Sequence, residues 1–175
     1  VDKKDILDGS AIEKGDVILG LPSSGLHTNG YSLARTILFD ESGLNVHSEH
    51  PDLDIPVGEE LLKTHRCYYP QVYELISKGW VHGLAHITGG GIPGNIGRLL
   101  NSGMKMEIDW DSWKWPAIFK LLQELGTIDL EEMKRVFNLG IGMTVITSPD
   151  QVRNIRDHLK LSGLESIEMG LITAV

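Results

Sequence analysis

Short apolar runs of strand length alternate along this sequence with segments whose apolar residues recur at helical spacing. The run at 16–21, DVILGL, and the run at 141–147, IGMTVIT, have the length and composition of buried strands. Segment 115–125, WPAIFKLLQEL, places its apolar residues three and four positions apart, as an amphipathic helix does. This alternation predicts an α/β domain of the α+β type, a layered α/β/α arrangement with a mixed sheet.

Size and charge restrict the function classes. The 175 residues, 41% of them hydrophobic, suffice for one domain with its own core, so residues 1–175 are predicted to be a single domain. The net charge of -8 argues against nucleic-acid binding, which needs a basic surface. The single cysteine, Cys67, excludes an internal disulfide. With neither a membrane-spanning run nor a signal-peptide pattern, we expect a cytoplasmic protein without a membrane partner.

A first glycine-rich loop at 20–30, GLPSSGLHTNG, joins a predicted strand to a predicted helix. Helix starts carry unpaired N–H groups and a positive dipole end, so such a loop can bind an anion. Asn29 is a plausible cap for the following helix. A plain connection built from common turn residues would have the same composition. The candidate binding residues of this loop are Ser23, Ser24, Gly25, His27, Thr28 and Asn29.

A second glycine-rich turn at 88–94, TGGGIPG, also follows a predicted strand. Gly89, Gly91 and Gly94 match G-x-G-x-x-G, with Glu107 and Asp109 downstream, a pattern typical of NAD-binding domains. The preceding strand is weak and Pro93 interrupts the match, so a flexible turn with a close helix–strand contact is an equally simple interpretation.

Helix boundaries are less certain in two places. Segment 59–78 predicts one long helix or two helices broken near Pro70. In 137–143, FNLGIGM, Asn138 and Gly140 have the composition of a helix end.

Histidines offer further chemistry. Ser24 and His27 could form a hydrolase pair, but the G-x-S-x-G elbow is missing. Two groups could ligate a metal: His47 and His50 with Asp52 and Asp54, and His82 with His86. The first group lies in a polar loop and the second on a predicted strand, so we predict no metal site.

Four segments together carry a resemblance to a known family. GDVILGLPSSGLHTNGYSLAR, AHITGGG, WPAIFKLLQELG and EEMKRVFNLGIGM occur in this order. In them the sequence resembles the C-terminal domain of the aminoimidazole ribonucleotide synthetase family, over nearly the whole chain. It departs from the family at Thr64-His65 before Arg66 and at Leu139, where cysteine is frequent. Gly94 and Gly97 are not part of the family pattern, so the dinucleotide match is interpreted as accidental.

The resemblance implies an ATP-dependent cyclo-ligase that converts formylglycinamidine ribonucleotide to aminoimidazole ribonucleotide in purine biosynthesis. It implies an amide oxygen activated by phosphoryl transfer and displaced by a ring-forming nitrogen. ATP and Mg²⁺ are expected to bind mainly to an N-terminal half, whose Asp-Gly-Val-Gly-Thr-Lys motif does not occur in this sequence. We therefore expect this chain to be the C-terminal half of a two-domain synthetase that is a homodimer at full length.

The same resemblance suggests roles for residues. The loop from Ser23 to Asn29 is expected to line the substrate cleft. Gly89, Gly90 and Gly91 are expected to offer backbone N–H groups to the substrate's ribose phosphate, and Arg66 is a further candidate for that phosphate. His27 is the one candidate general base, and it is equally well explained as a hydrogen-bonding loop residue.

Two alternatives remain open. The chain could be the equivalent domain of another ATP-dependent synthetase of this superfamily, such as formylglycinamidine ribonucleotide synthetase. It could also be a non-catalytic domain that binds a phosphorylated metabolite.

Overall fold

A computed structural model describes residues 6–175 of the chain. Five strands form one sheet, and helices lie between them along the sequence. The strands are β1 (Val17–Pro22), β2 (Gly83–His86), β3 (Met104–Ile108), β4 (Ile141–Thr147) and β5 (Ile167–Ala174). The helices are α1 (Tyr31–Arg35), α2 (Val57–Leu61), α3 (Tyr69–Ser77), α4 (Gly91–Ile96), α5 (Ala117–Leu125), α6 (Leu130–Val136) and α7 (Val152–Leu161). A π-helical turn, Thr36–Glu41, continues α1, and a 3₁₀ turn, Pro149–Gln151, precedes α7.

The sheet has the order β2-β4-β1-β5-β3, and every pairing in it is antiparallel. The α+β class is confirmed, but the expectation of a mixed sheet was wrong. β1, β2 and β3 run in one direction, as strands joined by helical crossovers do. β4 and β5 run the opposite way and insert between them, so no two parallel strands are neighbours.

Helices cover both faces of this sheet, which confirms the layered arrangement. β1 directs Ile18 to one face and Leu19 to the other, as the period of two requires. On the first face Ile92 and Ile96 of α4 pack beside Ile18. On the opposite face α3 and α7 pack beside Leu19.

A third apolar cluster lies between helices. It joins α1, α2, α5 and α6 through fully buried side chains that include Leu38, Phe119 and Phe137. Trp110 and Trp115 contact both this cluster and the first sheet face. The helical cluster is thereby joined to the core on the first face of the sheet.

Local sequence signals set several element ends. Asp129 accepts a hydrogen bond from the Glu132 N–H at 2.9 Å and so caps the N-terminus of α6. Pro70 lies in the first turn of α3, where its missing N–H costs nothing, and residues 62–68 form the break before it. None of the helices in residues 6–175 combines the length and apolarity that a membrane crossing needs.

Candidate functional site: two adjacent loops

The two glycine-rich loops lie side by side. The side-chain oxygen of Asn29, in the first loop, accepts a hydrogen bond of 3.1 Å from the Gly89 N–H in the second. The prediction that Asn29 caps α1 was therefore wrong. Gly30, in the left-handed conformation, precedes the helix instead, and Asn29 joins two segments far apart in sequence.

Asn138 holds the first loop in shape. Its amide nitrogen donates to the carbonyl oxygens of Gly25 and Leu26, at 2.9 and 3.1 Å. Its side-chain oxygen accepts from the Gly140 N–H at 2.8 Å and from the Ser23 hydroxyl at 3.1 Å. Asn138 is almost fully buried and, as predicted, lies just past the end of α6, but its side chain bonds the first loop rather than capping that helix. It is the internal brace of the loop.

Asn95 does the same for the second loop. Its amide nitrogen donates to the carbonyl oxygens of Gly91 and Thr88, at 2.7 and 3.1 Å. Its oxygen accepts from the Thr88 hydroxyl at 3.0 Å and from the guanidinium of Arg98 at 2.9 Å. Each loop is thus fixed by one buried asparagine, which satisfies backbone groups that a loop would otherwise leave unpaired.

The N–H groups of the glycine turn already have acceptors within the chain. The Gly90 N–H donates to the Arg135 carbonyl, and the Gly91 N–H donates to the Thr88 carbonyl, both at 3.1 Å. The Gly89 N–H has the side chain of Asn29 as its acceptor. A phosphate can take the Gly89 donor by rotation of one side chain, whereas Gly90 and Gly91 would have to give up backbone bonds. Their predicted role stays a prediction.

The segment between α2 and α3 closes one side of the first loop. The Ser24 hydroxyl donates to the Thr64 carbonyl at 2.6 Å. The His65 ring stacks on the His27 ring with 3.9 Å between centroids, and the His86 ring, at the end of β2, lies 5.2 Å from that of His65. Arg66 follows in the same segment and is exposed.

His27 has an unusual environment. Its backbone is left-handed, with φ of 60°, and its side chain is buried. Its Nε2 accepts a hydrogen bond from the Ser24 N–H at 3.0 Å. Burial, with smaller contributions from His65, His86 and Arg66 nearby, lowers the pKa of His27 to about 4. The ring is therefore neutral at physiological pH.

A pH-dependent stability follows from this neutral ring. The pKa of His27 in the unfolded chain is about 6.5, so below that pH the unfolded state binds the proton first. Stability from this group is fully present above about pH 6.5 and is lost as the pH falls toward the folded pKa of about 4. Between about pH 7.5 and about pH 5 we expect a loss of about 2 kcal/mol, less than the full pKa shift implies because pH 5 still lies above the folded pKa.

Urea unfolding in a chelating buffer at about pH 7.5 and about pH 5 measures this loss. His27→Asn, chosen because asparagine tolerates the left-handed backbone, should flatten the pH dependence. His47→Gln, in an exposed loop, should leave it as in the parent chain. Equal pH dependence in His27→Asn and the parent would contradict the assignment.

The competing sequence interpretations do not fit the geometry. β2 is an edge strand whose one partner in the described sheet, β4, is antiparallel, so Gly89–Gly94 do not open a parallel nucleotide-binding unit. The hydroxyl of Ser24 contacts Thr64 rather than His27, so no hydrolase pair forms. His82 pairs with Asp16 at 2.7 Å rather than with His86.

Sequence reasoning missed four residues at these loops. Asn95 and Asn138 brace them, His65 stacks on His27, and Arg98 brings a guanidinium to the second loop. A sequence signal existed for Asn95, a polar residue between Ile92 and Ile96 on the apolar face of a predicted helix. His65 carried no such sequence signal, because the rings that it contacts, those of His27 and His86, lie in other segments.

These features define the chain as an α+β domain that presents two braced, glycine-rich loops on one face. It belongs to the family described as AIR synthase related protein, C-terminal domain, whose model matches residues 13–175. Proteins named phosphoribosylformylglycinamidine cyclo-ligase are similar to it: that of Bacillus cereus is 45% identical over 93% of this chain, and that of Syntrophotalea carbinolica is 46% identical over 94%. The chain spans 47% of the length of each of these relatives.

Solved structures share the fold at low sequence identity. Thiamine-monophosphate kinase from Stenotrophomonas maltophilia superposes with a TM-score of 0.67 at 15% identity, covering 100% of this chain and 52% of that one. T. maritima PurL complexed with FGAR gives 0.56 at 20% identity, covering 99% and 26%. T. maritima PurL complexed with AMPPCP also gives 0.56, at 15% identity, covering 99% and 24%.

Proposed function

We propose that this domain is the C-terminal part of an ATP-dependent cyclo-ligase that converts formylglycinamidine ribonucleotide to aminoimidazole ribonucleotide in purine biosynthesis. The observation that carries the proposal is the junction of the two loops through Asn29 and Gly89, in a chain about 45% identical to proteins named cyclo-ligase. In this proposal the surface formed by the two glycine-rich loops, residues 20–30 and 88–94, is called the two-loop face and binds the ribonucleotide substrate. The protein is cytoplasmic and a homodimer at full length.

The chemistry of the two-loop face supports a phosphorylated, polar ligand. The Thr28 hydroxyl and the Asn29 amide offer neutral donors, and Thr28 is exposed. Arg66 and Arg98 add cations beside the first and the second loop. A guanidinium binds phosphate through two parallel hydrogen bonds, so these two arginines are the proposed phosphate contacts beside the Gly89 N–H.

ATP and Mg²⁺ are placed mainly outside this chain. Mg²⁺ prefers oxygen ligands, chiefly carboxylates and water. Within residues 6–175 the group of side chains close enough to share an ion consists of histidines, which do not suit Mg²⁺. We therefore derive no phosphoryl-transfer step from these residues, and we propose that the N-terminal domain of the full-length protein holds the nucleotide and its metal.

In the proposed cycle this chain binds and orients the substrate. Braced by Asn95 and Asn138, the loops meet the ribonucleotide in a prearranged shape, which lowers the entropy lost on binding. His27 is neutral and already accepts one hydrogen bond, so it can hold a proton only at Nδ1 while that bond persists. We assign it a hydrogen-bonding role in the loop.

An amide-resolved NMR titration of the chain tests the proposal. Formylglycinamide ribonucleotide, a stable substrate analogue, should shift the amides of Ser23–Gly30 and of Gly89, while ATP should leave them unchanged. Arg98→Ala should lower the affinity for the ribonucleotide at least 10-fold, because a charge-assisted phosphate contact contributes about 1.5–3 kcal/mol to binding. Arg153→Ala, an exposed arginine on α7, is the matched control and should change nothing.

The other outcomes separate the alternatives. A response to thiamine monophosphate equal to that for the ribonucleotide would replace the cyclo-ligase by a general phosphometabolite-binding domain. Tight binding of formylglycinamide ribonucleotide with no response to aminoimidazole ribonucleotide would favour the synthetase that acts on the former. A response to NAD confined to Gly89–Gly94 would reject the family assignment of the site.

A further inference from the structure

Three histidines from three separate segments meet beside the first loop. His27 lies in that loop, His65 lies between α2 and α3, and His86 ends β2. Each places a ring nitrogen within 4.8 Å of a ring nitrogen of the other two. This cluster takes no part in the substrate binding proposed above.

His65 and His86 have the spacing of two ligands on one ion. Their Nε2 atoms are 3.2 Å apart. Two imidazole nitrogens at about 2.0–2.1 Å from a tetrahedral ion lie about 3.3 Å from each other. The Nδ1 of His65 lies 2.8 Å from the Arg66 carbonyl, to which it donates, so its Nε2 carries a lone pair that accepts from the Nε2–H of His86 and could instead bind an ion. A backbone carbonyl behind the ring is the usual support of a metal-binding histidine.

His27 supplies the second, independent sign of a ligand. Its side chain is more than nine-tenths buried, and its Nδ1 has no hydrogen-bond partner among the described residues. Buried polar atoms almost always have partners, so an unpartnered one calls for an explanation. Its other nitrogen accepts the Ser24 N–H. If Nδ1 bound the metal, the proton of the neutral ring would move to Nε2. If Nε2 bound the metal, its lone pair would be used there. In both cases the Ser24 N–H would lose its acceptor.

The groups in the cluster restrict the class of metal that it can bind. Arg66 is a neighbouring cation, and no carboxylate belongs to the cluster within the described residues. A set of nitrogen ligands without carboxylates suits Zn²⁺, Cu²⁺ or Ni²⁺ rather than Mg²⁺ or Ca²⁺.

We propose that His27, His65 and His86 form a binding site for a divalent transition metal of the Zn²⁺ class, with a fourth position open to water or to a ligand. The ion would join the first loop, the segment before α3 and the end of β2 at one point. Binding would turn the His27 ring out of its stack on His65 and release the Ser24 N–H, so the metal and the shape of the loop are coupled. This site is separate from the nucleotide and the Mg²⁺ of the proposed function, and it can be tested without turnover.

The first experiment measures Zn²⁺ binding to the tag-free chain, freed of metal with a chelator, by isothermal titration calorimetry. We expect one ion per chain, with affinity reduced at least 10-fold in His65→Gln and in His86→Gln. His47→Gln is the matched control, and its affinity should equal that of the parent chain. Circular dichroism confirms that the variants fold, which is expected because neither His65 nor His86 is buried. Equal affinity in the parent and in a His65→Gln/His86→Gln double variant would overturn the proposal.

The second experiment tests the third ligand. Saturation with Zn²⁺ should shift the Ser24 amide resonance strongly, and His27→Asn should both remove that shift and weaken binding at least 10-fold. Tetrahedral coordination predicts intense visible absorption when Co²⁺ replaces Zn²⁺. A Zn²⁺ response at His65 and His86 with an unchanged Ser24 amide would overturn the three-histidine site.

Discussion

Gly91→Ala is expected to lower the free energy of unfolding by about 3 kcal/mol or more, a substantial part of the roughly 5–15 kcal/mol that stabilises an ordinary domain. Gly91 has φ of +63°, where a residue with a Cβ is strained by about 1–2 kcal/mol. A Cβ there would also overlap the carbonyl oxygen of Lys134, near the end of α6. Since that oxygen is backbone, α4 and α6 would have to separate, and the second loop would move with them.

Two neighbouring glycines separate the cost of backbone strain from the cost of steric overlap. Gly90 is also left-handed, with φ of +98°, but a Cβ there meets nothing closer than 3.6 Å. Gly90→Ala should therefore cost only the backbone strain, about 1–2 kcal/mol. Gly94 has no positive φ and no atom within 4 Å of an added Cβ. Gly94→Ala should be neutral or stabilise the helix by up to about 1 kcal/mol.

Urea unfolding of the three variants gives the comparison. The order of stability should be Gly94→Ala, then Gly90→Ala, then Gly91→Ala. Gly91→Ala within about 1 kcal/mol of the parent chain would show that α4 and α6 are not in contact as described.

The elements that the sequence predicts well are those fixed by local periodicity. β1 and β4 are short apolar runs, and α5 repeats its apolar residues at helical spacing, so each was predictable within a few residues. The cap at Asp129 was also predictable from local sequence, because its donor and acceptor lie three residues apart. The relative directions of neighbouring strands were not predictable, because they depend on β4 and β5 inserting between strands that precede them in sequence.

The site shows the same division between local and distant causes. Glycines and hydroxyls mark both loops in the sequence, but their contact depends on Asn29 reaching Gly89, sixty positions away. Asn29 has the composition of a cap, and Asn138 that of a helix end, because those are the common local uses of asparagine. In both cases the asparagine side chain bonds instead to backbone groups that are distant in sequence. The three histidines meet for a similar reason, through segments that share no local pattern.

Asn138→Ala is expected to lower the free energy of unfolding by about 3 kcal/mol. The substitution removes four hydrogen bonds and leaves the carbonyl of Leu26 and the N–H of Gly140 without their side-chain partner, while the Gly25 carbonyl keeps the Ser23 hydroxyl. Each buried unsatisfied group costs about 1–3 kcal/mol, and relaxation of the loop toward water recovers part of the sum. Asn138→Asp, which keeps the shape but turns two donors into an acceptor facing carbonyl oxygens, should be at least as harmful.

The matched control is Asn154→Ala, an exposed asparagine on α7 whose amide donates a hydrogen bond to Gln151. It should leave stability unchanged within about 0.5 kcal/mol. Hydrogen exchange gives the local readout, because loss of the brace should raise exchange at Leu26 and Gly140 more than at β5 on the far side of β1. If Asn138→Ala changed stability no more than Asn154→Ala, the first loop would hold its shape without the brace. The preorganisation on which the proposed substrate site depends would then have to come from elsewhere.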